Sequence, residues 1–145
     1  MAAELPYADI RAEIEKYTDF VENHLRVDLR AVLAERESIL EQSIEYGKLS
    51  TQIQTIKDAG LTEMKTQVDL GSNFYVQAKV PDTQFIYVNV GFGFHLELTL
   101  DEALAFLERK TSHLQEKANK CTRKASEIKA HIQIIMGTLE ELMAM

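Results

Sequence analysis

The residues with the most chemistry to offer are few and poorly spaced for it. Cys121 is the only cysteine in the chain. A thiol becomes a nucleophile or metal ligand when neighbouring charge lowers its pKa; Cys121 falls instead on an apolar seven-residue series, where a small side chain packs. A single cysteine also excludes an intramolecular disulfide and fits a reducing compartment. His24 and His131 would approach each other if the two halves of the chain fold back. Two histidines without a third ligand still make a poor metal site. His95 alternates with Phe94 and Leu96, so it faces the polar side of its strand. No GxxxxGK phosphate loop occurs, and Gly91-Phe92-Gly93 lacks the third glycine and the helix opening of a dinucleotide site. Those two glycines serve a hairpin or bulge. The residues supply no catalytic set, no metal site and no cofactor site. The expectation is a protein that is not an enzyme.

The elements that hold these residues follow from bulk properties and periodicity. The 145 residues leave room for one domain, expected to span 1–145, and two prolines with six glycines permit long helices. Fractions of 46% hydrophobic and 27% charged residues are those of a folded chain rather than a disordered tail. A net charge of −7 argues against direct nucleic-acid or anionic-membrane binding. Lys117, Lys120, Arg123, Lys124 and Lys129 form a short basic stretch, read as a solvated coiled-coil face. The N-terminal residues Glu4, Asp9 and Arg11 are charged, no apolar leader segment is visible, and no run approaches 18 apolar residues. The cytoplasm and nucleus are the expected compartments, with no membrane contact.

From about Pro6 to Gly60 the pattern is helical. Leu25, Val32, Ile39, Tyr46 and Ile53 recur every seven residues, with Leu49 and Ile56 at a second seam position. Upstream, Ile10, Ile14, Tyr17 and Val21 keep helical spacing on a shifted seam, and Leu29, Leu33, Leu40 and Ile44 widen the stripe. Gly60 ends the helix. The last third, residues 99–143, is cleaner. Leu100, Leu107, Leu114, Cys121, Ile128, Ile135 and Leu142 form one heptad series, and Leu104, Thr111, Ala118, Ala125, Ile132 and Leu139 form the other. Thr99 and Glu102 are spaced as a capping box at its start.

Residues 63–98 between them alternate with period two. Met64, Thr66, Val68 and Leu70 share one face, followed by Phe74, Val76, Ala78 and Val80, by Ile86, Val88 and Val90, and by Phe92, Phe94, Leu96 and Leu98. Turn residues sit at 71–73, 81–83 and 91–93. The pattern predicts four strands in two hairpins, with no linker or tandem repeat. A helix, two hairpins and a second helix of matching length imply that the helices fold back on each other. Contacting residues then have numbers that sum to about 160. The fold class is therefore α+β, mainly α: a long antiparallel coiled-coil hairpin with a four-stranded, two-hairpin β platform at one end. Four strands with apolar faces and free edges do not stand alone in water. Val68, Leu70, Phe74, Val76, Val80, Ile86, Val88, Val90, Phe92 and Phe94 are thus the expected oligomer interface.

QVDLGSNFYV (Gln67 to Val76), VPDTQFIYV (Val80 to Val88) and GFGFHLELTLDEAL (Gly91 to Leu104) resemble the α class of the prefoldin family. DLRAVL (Asp28 to Leu33) and IKAHI (Ile128 to Ile132) in the helices agree. The resemblance covers nearly the whole chain, while the first 20 residues and the C-terminal end diverge. It implies a hetero-oligomer of α- and β-class subunits whose strands build the platform and whose coils hold non-native clients without ATP. It also implies an α-class partner of the URI type, association with the R2TP co-chaperone, and roles with transcription factors. Off-seam apolar residues far from the platform, Phe20, Ile134, Met136 and Met143, are the expected client contacts. The alternative is a coiled-coil scaffold or transcriptional co-regulator that binds folded partners.

Overall fold

The computed structural model describes residues 7–145; Pro6 and Glu4 lie outside the described residues. The first helical stretch comprises α1 (Tyr7–Phe20), a π-helical turn (Val21–Leu25) and α2 (Arg26–Asp58). Strands β1 (Met64–Gly71), β2 (Phe74–Val80), β3 (Phe85–Gly91) and β4 (Phe94–Thr99) follow, then α3 (Leu100–Ala144). This is the mainly helical, two-hairpin fold that the hydrophobic periods predict. The chain forms two compact units, one of Gln42–Leu114 and one of the described residues up to Glu41 with Gln115–Met145.

In the unit of Gln42–Leu114, the core is Ile53, Leu98, Ala103 and Leu107, with Tyr46, Ile86, Val88 and Phe106 packed around it. The helices meet there in antiparallel register. Lys57 Nζ lies 2.5 Å from Asp101 Oδ1, and Ile53 shares the core with Leu107, both close to the expected sum of 160. The hydrogen bond to Asp101 and its charge raise the Lys57 pKa above the ordinary lysine value. The lysine stays charged throughout the neutral range, and this contact weakens only as pH climbs through that raised value. In the other unit, Val21, Leu25, Ala118, Cys121, Ala125 and Leu139 are buried, and Arg36 Nε donates to Thr122 Oγ1 at 2.8 Å in the same register.

Where the seam runs on α2 differs from the apolar count. Leu25, Val32, Ile39, Tyr46 and Ile53 are covered, but the second seam position is Leu29, Arg36, Ser43 and Ser50, all half-buried. Leu33, Ile44 and Leu49 are exposed. The shift upstream has a local cause. In the π-helical turn the Arg26 N–H reaches back to the Val21 carbonyl, which inserts an extra residue and rotates the buried face. Val21 and Leu25 are both buried as a result, while Tyr17, placed on the seam by spacing, is exposed.

The ends of the elements are built by local chemistry. Gly60 has φ +62°, its N–H bonds the Lys57 carbonyl, and the Leu61 N–H bonds the Ile56 carbonyl, the Schellman arrangement. At α3, the Glu102 N–H donates to Thr99 Oγ1 at 3.2 Å, and the Thr99 hydroxyl donates to Glu102 Oε1 at 3.0 Å. Both hairpins turn in one way. Asp69 Oδ1 accepts from the Gly71 N–H and Asn89 Oδ1 from the Gly91 N–H, and each strand slips register at that glycine. The tips are Ser72-Asn73 and Phe92-Gly93, every residue at positive φ, as type I′ hairpin turns require. Asp69-Leu70-Gly71-Ser72-Asn73-Phe74 and Asn89-Val90-Gly91-Phe92-Gly93-Phe94 are thus a short structural repeat that a search for tandem repeats passes over. Phe92, expected in the last strand, belongs to the turn, and β4 starts at Phe94.

Thr83 ties the connections together. It is buried, its hydroxyl donates to the Leu61 carbonyl, and its N–H donates to the Thr62 carbonyl at 3.3 Å. Thr83→Val keeps the shape and leaves the Leu61 carbonyl short of a partner, a loss of about 1–2 kcal/mol. The expected melting temperature falls by roughly 3–7 °C, with Thr83→Ser close to wild type; thermal unfolding by circular dichroism measures both.

Candidate functional site

The two hairpins are separate two-stranded sheets, β1–β2 and β3–β4. In the first, Val68 pairs across the ladder with Val76, and Thr66 with Ala78, so one face is apolar. Among the described residues its tip half is left uncovered: Leu70 is 67% and Phe74 71% exposed, and Val68 and Val76 are exposed as well. Its other face carries Lys65 opposite Lys79, with Lys79 paired to Glu63 at 3.0 Å. Like charges facing each other belong in water. The first hairpin therefore has one polar face and one exposed apolar face. A lone two-stranded hairpin is marginal in water.

The second hairpin divides its apolar residues between two tasks. Ile86, Val88 and Leu98 pack on the chain's own core, and Val80 at the end of β2 is half-buried. Val90, Phe94 and Leu96 remain exposed, and Phe92 stands free at the tip. On the opposite face His95 pairs with Asn89, as its alternation predicts, but Phe85 and Tyr87 are also exposed there. Spacing alone gave no sign of those two aromatics, since a polar-side position was expected.

The four expected client residues all lie in the unit that contains the ends of the helical stretches, and they do not form one patch. Met136 is half-buried, whereas Phe20, Ile134 and Met143 are exposed. Ile134 and Met143 are nine residues apart on one helix, about two and a half turns, so they leave from opposite sides. The Phe20 ring sits 5.6 Å from the His24 ring at a tilt of 47°. Tyr17 and Val27, also exposed, are spaced with Phe20 along the same helical stretch.

Among the described residues, no three His, Cys, Asp or Glu side chains are grouped to hold a metal. Cys121 is buried on the seam. No described helix is long and apolar enough to cross a membrane.

Residues 25–144 match the family model described as "Prefoldin subunit". The chain is 45% identical over 130 residues to Protein UXT of Homo sapiens, covering 90% of this chain and 83% of the relative. It is 40% identical over 136 residues to Protein UXT homolog of Nematostella vectensis, covering 92% and 86%. Its fold matches a chain in the cryo-EM structure of filamentous PFD from Methanocaldococcus jannaschii, with TM-score 0.66 and 21% identity, over 83% of this chain and 98% of the other. The paired helices, the two hairpins with one repeated turn and the extent of these matches lead to one conclusion: the chain belongs to the prefoldin subunit family.

Proposed function

We propose that the chain is a non-enzymatic subunit of a prefoldin-like hetero-oligomer that holds unfolded or assembling proteins through its coils, without ATP. The observation that carries this reading is the uncovered apolar face of the first hairpin, Val68, Leu70, Phe74 and Val76, joined by Phe94 and Leu96 of the second. Apolar area of this kind on independent hairpins is the mark of an assembly surface. Residues 1–145 act as one prefoldin-like domain, with other α- and β-class subunits as neighbours. A URI-type partner, the R2TP co-chaperone and a cytoplasmic and nuclear location extend the same proposal. Purification at endogenous level with mass spectrometry of the partners tests them.

Client holding is assigned to the exposed residues Tyr17, Phe20, Ile134 and Met143; Met136 is left out because the protein half-buries it. A loosely held client shares its contacts among several subunits, so single replacements do little. Replacing all four with serine or glutamine is expected to remove most of the suppression of a denatured client's aggregation, followed by light scattering with the assembled complex. Equal suppression by wild type and variant favours the scaffold reading, in which the coils bind folded partners.

A further inference from the structure

Lys117, Lys120, Arg123 and Lys124 are arranged on α3 in a way that folding does not ask for. Residues 117–131 carry five basic side chains and one acidic one, in a chain whose net charge is −7. All five basic residues are exposed. At about 100° per residue, Lys117, Lys120 and Lys124 share one side of the helix within an arc of roughly 60°, and Arg123 borders it. Lys120 therefore has a like charge three residues before it, three after it and four after it. Like charges at those spacings destabilise a helix.

Among the described residues no ion pair offsets that repulsion. The paired cations are Arg26, Lys48, Lys57 and Lys79, none of them from this group. Glu116 and Glu127 stand one helical turn from Lys120 and Arg123, and neither pairs with them. In the same unit, Arg36 of α2 reaches across to Thr122 and adds a further positive group. Glu35, Glu37 and Glu41 are exposed on α2 and pair with none of the four. A merely solvated face mixes signs so that neighbours attract; this one does not.

The surroundings narrow the occupant. No large apolar side chain is exposed on α3 before Ile134. A nucleic-acid base finds no ring to stack on there, and a bilayer finds no apolar face to take up. The net charge of −7 also repels a long polyanion. A short one fits. Lys117 and Lys124 are about 10 Å apart along the axis, a length that three or four residues of an extended peptide cover at about 3.3 Å each.

We propose that this group docks a short acidic segment, a run of Asp and Glu residues, on a partner protein. Each carboxylate then meets a cation whose neighbours on the helix are also positive, so docking relieves the repulsion along α3. With no apolar anchor the contact forms fast and weakens with salt. The inference goes beyond the holding of unfolded proteins by apolar residues and does not depend on it.

The test is binding of fluorescein-labelled hexaglutamate to the full chain, followed by anisotropy at low salt. Saturable binding is expected, weakening steeply as salt is added and absent with hexaglutamine. Replacing Lys117, Lys120, Arg123 and Lys124 together with Gln should lower the affinity roughly tenfold or more. As a control, Lys65→Gln with Lys79→Gln removes two positive charges from the first hairpin and should leave the affinity within about twofold. The melting temperature of the quadruple variant should equal or exceed that of wild type, because like charges have been removed. No binding by wild type, undiminished binding by the quadruple variant, an equal loss in the control or a lower melting temperature would each overturn the proposal. So would tighter binding of a hexanucleotide or of phosphatidylserine vesicles, which would assign the group to nucleic acid or membrane instead. Hexaglutamate has no apolar side chain, so its failure to bind leaves the holding of denatured clients standing.

Discussion

Val76→Asp is expected to abolish recovery of the chain with other prefoldin-type subunits while leaving its helicity unchanged. Val76 lies opposite Val68 in the middle of the first hairpin and is 48% exposed in the single chain. A carboxylate there stays in water, so folding of the helices loses little. Once a neighbour covers that face, the same carboxylate has to be buried without a partner, which costs several kcal/mol. Each 1.4 kcal/mol is a factor of ten in affinity, so the complex falls apart by orders of magnitude. Co-expression with candidate subunits, size-exclusion with light scattering and far-ultraviolet circular dichroism measure both halves. Wild-type assembly by the variant would show that this face is not the interface. Val88 is the poorer choice, because it also packs against the chain's own core and its loss confuses folding with assembly.

Leu107→Asp is expected to have the largest effect on stability. Leu107 is 3% exposed and shares the core of its unit with Ile53, Leu98 and Ala103. The change removes a burial worth about 1.5–3 kcal/mol and adds an unpaired carboxylate costing several more. Whole domains are stable by roughly 5–15 kcal/mol, so one substitution consumes much or all of that margin. Loss of the cooperative melting transition is the expected readout. Cys121→Ala, in the other unit's seam, trims one sulfur from an already small position. It should shift the melting temperature only slightly and leave client holding unchanged. A folded Cys121→Ala variant without holding activity would give the thiol a chemical role that its seam position does not suggest.

The sequence was most informative where a short stretch decides its own geometry. Thr99 and Glu102 cap α3, and Gly60 closes α2, because each motif needs only its neighbours on the chain. The seam of α3 was legible throughout Leu107, Leu114, Ala118, Cys121 and Ala125, since nearly all the apolar side chains of that stretch fall on one stripe. The strands were readable from their period of two, as was the polar-side position of His95 beside Asn89.

By itself, then, the sequence determined the two helical stretches and the four strands between them, their caps and turns, and the antiparallel return of the helices. All of these rest on contacts within a few residues or on a period repeated many times. The tertiary structure decided which of the available apolar residues are covered. On α2 the stripe is wide, and Ser43 and Ser50 are half-buried while Leu49 and Ile44 are left exposed. The π-helical turn rotates α1 and exposes Tyr17, an effect of one backbone hydrogen bond that no side-chain pattern specifies in advance. Phe92 moved from strand to tip because the Asn89 side chain bonds Gly91 and shifts the register at that glycine. Ile86 and Val88 serve the chain's own core while Val68 and Val76 do not, because only the second hairpin lies against the helices. Periodicity assigns residues to faces; only packing determines which face the chain itself covers and which it leaves exposed.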